Sequence, residues 1–460
     1  MIPFTMIPGS VAPQGMNAQG MNAQRMNTEP AYAQLAQQFA AHFPDALDGP
    51  RTVGREAEFP IVTASGRAAD VRQLWPILLD GGDLEPVTDS SGMDPRQQGL
   101  LVAAKGTDYT YALEVGLGTV EVNTGPCADL FALKAVHERA VMRLVKAAAQ
   151  LGWMVLGYGI QPVSPASPSL MSPKARYQAL LAAMGRDWLP YTATASDQVQ
   201  IDICRPELVT MLNVGNLIAP VLVALCANSA VAGGRLSPYC SAREGRMAAI
   251  RAAEHRHGLP DHAYRDMTDF VRTIAQARHL IQRTPDGRYV VEDGAFAQHV
   301  AAHGADFPAF LFHEHYVWNS ARIRTAYATV ELRPACQQPW AGHMLPSALG
   351  LGLIQAAPDV WAYLDGTFGG ETWTVMRHYH RSVIKKGLAA RQPVDGFLDR
   401  MVDLASAGLV SRGLGEEIFL DAARQRLAAG ENPAQTARRI FMDQGMDSLL
   451  AAVTLPDVPA

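Results

Sequence analysis

Four stretches of this chain alternate apolar and polar residues with a period of two, and in each the polar set is mostly acidic or amide-bearing. They are "GREAEF" with Glu56 and Glu58, "LEVGLGTVEVN" with Glu114 and Glu121, "DQVQIDI" with Gln198, Gln200 and Asp202, and "TVELRP" with Glu331 and Arg333. Such alternation places each polar set on one face of a strand whose other face is apolar. A single strand of this kind is ordinary, because antiparallel sheets commonly leave one face wet. Four of them are not, since glutamate is a poor strand former and like charges set opposite each other destabilise a sheet. Carboxylates gathered on one face without lysines call for a hard divalent cation; magnesium takes oxygen ligands and shares them with substrate phosphates.

The two glutamates around "GLG" set a condition on the turn between them. An even-numbered hairpin loop puts Glu114 and Glu121 on one face, a two-residue Leu117-Gly118 loop makes them direct partners, and an odd, unbulged loop separates them. The glycines are expected to serve that turn. Arg176 in "SPKARY", Arg243 in "YCSAREG" and Arg333 supply the complementary charge, because guanidinium captures carboxylate or phosphate in two-point fashion.

Net charge is -5 over 460 residues and the basic residues are scattered, which leaves no cationic stripe for nucleic acid. The longest apolar run, Leu217 to Ala227, suits a buried helix and is too short for a membrane span of about 20 residues. Five widely spaced cysteines without a CxxC pair argue for free thiols in the cytoplasm and against a thiolate zinc site. The histidine clusters at 255–257, 313–315 and 378–380 lack the HExxH spacing of zinc enzymes, and "GLGTVE" matches neither GxGxxG nor a Walker loop.

Along the chain, residues 1–30 with their repeated "GMNAQ" read as a low-complexity, flexible leader. A helix is expected from Pro30, a strand from Arg51, a helix from about Asp70, and strands in "QGLLVAAKG" and "TYALEVG". An amphipathic helix follows from Leu130, capped by Asp129 and closed by Gly152, then a strand "WMVLGYGIQPV", a helix "KARYQALLAAMG" and a last clear strand from Thr325. Beyond about Pro346 the periodicity is helical. The expected fold is α+β, with one antiparallel sheet in a domain spanning 31–345 and a helical segment, 346–460, packed on it.

The ordered series "GREAEF", "LEVGLGTVEVNTGP", "MSPKARY", "SDQVQID", "ALCANSAVAGGRLSPYCSAREG", "TVELRP" and "GLVSRGLGEEIFL" resembles the plant and proteobacterial type of glutamate-cysteine ligase, within the carboxylate-amine ligases of glutamine-synthetase-like fold. The resemblance implies a curved antiparallel sheet with helices outside it and the active site on its concave face. It assigns Glu56, Glu58, Glu114, Glu121 and Glu331 to magnesium, two or three ions in number. It assigns Arg176 and Arg243, with Gln198 and Gln200, to substrate binding, and Arg243 and Arg333 to catalysis. Departures lie at the recognition edges: Gln200 stands where such enzymes have asparagine, Asp197 replaces an apolar residue, and "PACQQPW" follows Arg333.

The resulting expectation is an ATP-dependent ligase that converts a carboxylate, by default the γ-carboxylate of glutamate, to an acyl phosphate for attack by the amine of cysteine. The partners are then small molecules, with neither nucleic acid nor membrane, and the chain a monomer or homodimer. Asp197 and Asp202 are candidate bases for the amine. Two alternatives stay open: a specialised ligase using another amine, and a non-catalytic relative that binds nucleotide or an amino acid.

Overall fold

The computed structural model describes residues 18–89, 99–250, 254 and 256–456. Its centre is an open sheet of nine strands: β1 (Val53–Thr63), β2 (Glu85–Asp89), β3 (Leu100–Lys105), β4 (Tyr109–Leu113), β5 (Thr119–Thr124), β6 (Trp153–Val155), β7 (Asp197–Asp202), β8 (Ala321–Arg324) and β9 (Thr329–Leu332). The order is β8-β9-β7-β1-β5-β4-β3-β2, with β6 pairing the far end of β1, and every pairing is antiparallel. β1 is therefore central, with β5 on one side and β7 on the other.

Alternation fixes what each face of the central strands does. On β1, Val53, Ala57, Phe59 and Ile61 are buried on one side while Glu56 and Glu58 point to the other; on β7, Val199 and Ile201 are buried opposite Gln198 and Gln200. The apolar side is covered by helices, among them α1 (Leu130–Gln150), α2 (Leu208–Leu217) and α3 (Leu345–Gln355). Helix α1 starts as its sequence predicts, with Asp129 accepting from the Ala132 amide at 2.7 Å, and it ends before Gly152 at φ +68°. Helix α3, at the head of the C-terminal helical segment, packs directly on β7 and β1.

Within this apolar layer lies a charged pair. Arg55 of β1 and Asp197 of β7 face the helices, both are fully buried, and the guanidinium spans the carboxylate with contacts of 2.7 and 2.6 Å. Arg55 also donates to the His343 carbonyl at 2.8 Å, just ahead of α3. Asp197 is thereby removed from the list of bases: it sits behind the sheet, neutralised in a two-point ion pair.

Several expectations are corrected. The N-terminal helix runs Ala18–Ala40 with Pro30 inside it, so the later part of the expected leader is helical, while residues 1–17 lie outside the described residues. The strand "WMVLGYGIQPV" is only Trp153–Val155, because Gly157 and Gly159 run so close to the 336–339 segment that side chains would collide there. Strands β2 and β8 were not anticipated. The segment Arg205–Cys226 is long and apolar enough to cross a membrane by length and composition, but 89% of its most apolar stretch is buried, as in a core helix. All five cysteines are free.

Removing one member of a buried ion pair leaves an uncompensated charge, at a cost of about 3–5 kcal/mol. Asp197→Ala is expected to lower unfolding stability by that order in urea titration, whereas Arg55→Met combined with Asp197→Leu should recover most of the loss.

Candidate functional site

The polar face of the sheet forms the floor of a cavity of about 940 Å³. Its residues stand in rows set by strand register. Glu58 on β1 lies directly opposite Glu121 on β5, Glu56 sits between Asn123 and Gln198, and Gln200 faces Glu331, which in turn faces Arg322. The hairpin between β4 and β5 pairs Ala112 with Glu121 and Leu113 with Val120, leaving the six residues Glu114–Thr119 between the last paired positions. Glu114, two residues beyond Ala112, therefore shares the face of Glu121 without being its direct partner. The parity of the loop is the even one; the two-residue turn is corrected.

The reason lies in the glycines. Neither Gly116 nor Gly118 has positive φ, so neither is needed for a tight primed turn. They are needed for close approach: a Cβ on Gly118 would lie 2.7 Å from that of Ala68, and one on Gly116 would overlap the Thr192 carbonyl. The connection is tied down by Leu117 N–H to Leu170 O at 2.6 Å and by Gln161 Nε2 to Gly118 O at 2.7 Å.

Glu58, Glu114 and Glu121 form the one group among the described residues in which three carboxylates bring ligand atoms within 4.8 Å of one another. Glu58 accepts from Ser196 N–H at 2.7 Å, Ser196 Oγ at 2.6 Å and Gln198 Nε2 at 3.1 Å, and Glu121 accepts from Asn123 Nδ2 at 2.7 Å. These neutral donors do not balance the charge. Burial, then repulsion by Glu114, raises the Glu58 carboxyl above its ordinary range. Burial, then Glu114, Glu56 and Glu58, pushes Glu121 up well above that range. Two carboxyls that resist ionising, Glu58 and Glu121, with an oxygen of Glu114 this close to both, fit the donor set of a hard divalent cation.

Glu331 is in the opposite condition. Its oxygens take Arg322 Nε at 3.1 Å, Arg324 Nη1 at 3.0 Å, Gln200 Nε2 at 2.9 Å and the Arg333 guanidinium. Burial opposes ionisation here, but the three arginines outweigh it and hold Glu331 well below the usual carboxylate range. Glu56 lies between the two regimes: it accepts from Gln200 Nε2 at 3.0 Å and is raised by burial and by Glu331. Gln200 bridges Glu56 and Glu331, its Nε2 donating to both.

Of the expected arginines, Arg243 lines the cavity beside Glu58 and pairs with Glu244, Arg333 reaches Gln198 Oε1 at 2.5 Å, and Arg176 lies over the Tyr177 ring at 5.2 Å. Asp202 lines the cavity and accepts from Thr52 N–H and Oγ1 at 3.0 and 2.6 Å. Sequence reading missed Arg322 and Arg324, whose spacing of two in "SARIRT" is the same strand signal used elsewhere. It also missed the cavity's aromatic wall of Trp188, Tyr191, His257 and Trp318, which come from separate segments with no shared pattern.

A model of glutamate-cysteine ligase family 2 matches residues 52–452. The glutamate-cysteine ligase EgtA of Mycobacterium tuberculosis H37Rv is 31% identical over 182 residues, 37% of this chain and 40% of that protein, so the match spans less than half of that relative. A Rubrobacter xylanophilus protein carrying the name glutamate-cysteine ligase 2-3 is 23% identical over 422 residues, 88% of this chain and 97% of its own. The chloroplastic glutamate-cysteine ligase of Solanum lycopersicum is 23% identical over 367 residues, 74% and 67% of the two chains. Among solved structures, glutamate-cysteine ligase of Francisella tularensis in complex with AMP superposes with a TM-score of 0.52 at 12% identity, covering 89% of this chain and 88% of its own, which is a likeness of fold.

Because the Glu58 and Glu121 carboxyls are raised, their protonated forms favour the metal-free fold, a contribution that is lost as pH climbs through the raised values. A bound cation replaces those protons. Magnesium should therefore raise the melting temperature, more at pH 8 than at pH 5, in a thermal scan. Glu121→Gln should raise the metal-free melting temperature at pH 8 and shrink the magnesium increment.

Proposed function

The chain belongs to glutamate-cysteine ligase family 2, and from this membership and the charge pattern of the cavity we infer that it is an ATP-dependent ligase joining the γ-carboxylate of glutamate to an amine. The observation that carries the reading is the trio Glu58, Glu114 and Glu121, held on one cavity floor with arginines at its edges. A carboxylate is a poor acylating agent. Transfer of the γ-phosphoryl group to a carboxylate oxygen gives an acyl phosphate and ADP; attack of the amine nitrogen on the carbonyl carbon then expels phosphate and forms the amide.

Magnesium bound by Glu58, Glu114 and Glu121, with Glu56 at their margin, would supply charge neutralisation for the phosphates. The residues of the chain do the rest. Arg243 and Arg176 line the same cavity, Arg243 acting on Glu58 and Arg176 feeling the charge of Glu114, and would orient the acid substrate. Arg333, fixed by Gln198 and Glu331, would meet the charge that develops during phosphoryl transfer. Glu331 reads here as the residue that aims Arg322, Arg324 and Arg333, in addition to the metal-binding role the resemblance implies. Gln198 and Gln200 act as spacers that fix Glu58 and Arg333, and Glu56 and Glu331, respectively.

The test is ADP release with ATP, magnesium and a panel of acids and amines, with mass detection of the amide. Stimulation by glutamate plus an amine is expected, and no stimulation by any pair overturns the ligase reading. Glu121→Gln should lower turnover at least about a hundredfold, the scale of losing an electrostatic element of a transition state, while circular dichroism stays native. Wild-type turnover in that variant would remove Glu121 from the metal set.

A further inference from the structure

The aromatic wall has no role in holding magnesium or phosphate. Trp188 and Tyr191 lie on the segment that leads into β7, and His257 and Trp318 are register partners in a short parallel pair formed by His257–Gly258 and Trp318–Asn319. Tyr191 joins them: its ring lies 4.5 Å from Trp188 and 5.2 Å from Trp318, and its hydroxyl is 2.7 Å from His257 Nε2. The His257 and Trp318 rings stack 5.3 Å apart at an interplanar angle of 16°. Tyr191, His257 and Trp318 are only half-buried although they line the cavity, so ring surface is left facing its interior.

Resting on the ligase reading above, we propose that this wall seats the acceptor and selects an amine that carries a planar aromatic ring over the compact side chain of cysteine. The part-exposed rings of Tyr191, His257 and Trp318, backed by the buried Trp188, offer an apolar surface larger than the CH2SH group of cysteine can cover, and an aromatic ring gains both area burial and stacking against the His257–Trp318 stack. Charge narrows the class further. Arg243, Arg256 and Arg333 all act on His257 and Tyr191, and burial with these arginines keeps the His257 ring neutral. Each of these arginines is paired with a carboxylate, Arg243 with Glu244, Arg256 with Glu254 and Arg333 with Glu331, so the wall presents neutral rings that suit a neutral ring. The other end of the cavity, lined by Thr52, Thr107, Asp108 and Asp202, offers the hydroxyls and carboxylates that suit the sugar and base of a nucleotide instead.

The experiment measures amide formation from ATP, magnesium and glutamate with cysteine, alanine, phenylalanine and tyramine in turn, alongside tryptophan emission on adding each amine or AMP alone. Expected are a kcat/KM for the aryl amines at least about tenfold above that for cysteine, and a fall of that ratio by about tenfold or more in Trp318→Leu with partial recovery in Trp318→Phe. Quenching by tyramine should be lost in Trp318→Leu. Amide from cysteine in preference to every aryl amine, with the ratio unmoved by Trp318→Leu, overturns this inference and leaves the ligase reading standing. Quenching by AMP alone that depends on Trp318 also overturns it, because the wall then holds the nucleobase. No amide from any amine, with ADP release unstimulated, overturns the ligase reading and this inference with it.

Discussion

The Arg55–Asp197 pair sets the terms for everything on the other face of the sheet. Two full charges behind β1 and β7, with no exposure, tolerate one register only, since a slip of one residue would turn every side chain of the strand over. With Arg55 and Asp197 committed to the helix side, Glu56 and Glu58 must face the cavity, and so must Gln198 and Gln200. The pair reaches into the helical layer through the His343 carbonyl, so the start of α3 is keyed to the same register.

On the cavity side the charges are deliberately unequal from one edge to the other. Towards β8, three arginines surround a single glutamate, and Glu331 is over-neutralised. Towards β5, three carboxylates take hydrogen bonds from neutral donors, and Arg243, Arg176 and Lys174 act on them only through space. Gln200 and Gln198 stand at the seam, each bonded to groups on both sides. A gradient from positive to negative over a few strand spacings matches a substrate that is anionic where it meets arginine and cation-bound where it meets carboxylate.

The alternating glutamates were readable because a strand's period of two depends only on local geometry, and the Asp129 cap was readable for the same reason. The face shared by Glu114 and Glu121 followed from parity, but their register did not: it depends on Gly116 and Gly118 packing against Thr192, Ala68 and Gln161, contacts far away in sequence. Arg322 and Arg324 carried a strand signal too short to stand out beside "TVELRP". The aromatic wall is assembled from the 188–191 segment and two strands of two residues each, and nothing in sequence spacing links Trp188 to His257 or Trp318. Asp197 reads in sequence as a candidate base, yet its odd-numbered place on β7 already sets it opposite Gln198 and Gln200; what the sequence does not show is its buried partner Arg55.

The tight contact at Gly116 has a mechanical meaning. The hairpin turn that carries Glu114 and Glu121 is pressed against the backbone of Thr192, the residue next to Tyr191, with no side chain between them. Carboxylate trio and ring wall are thus bolted to a common frame at a single backbone junction, so neither can swing without dragging the other. Remodelling the cavity for a different ligand is left to exchange of side chains on that frame, while any loop excursion wide enough to admit a bulkier group would also break the spacing of the three carboxylates.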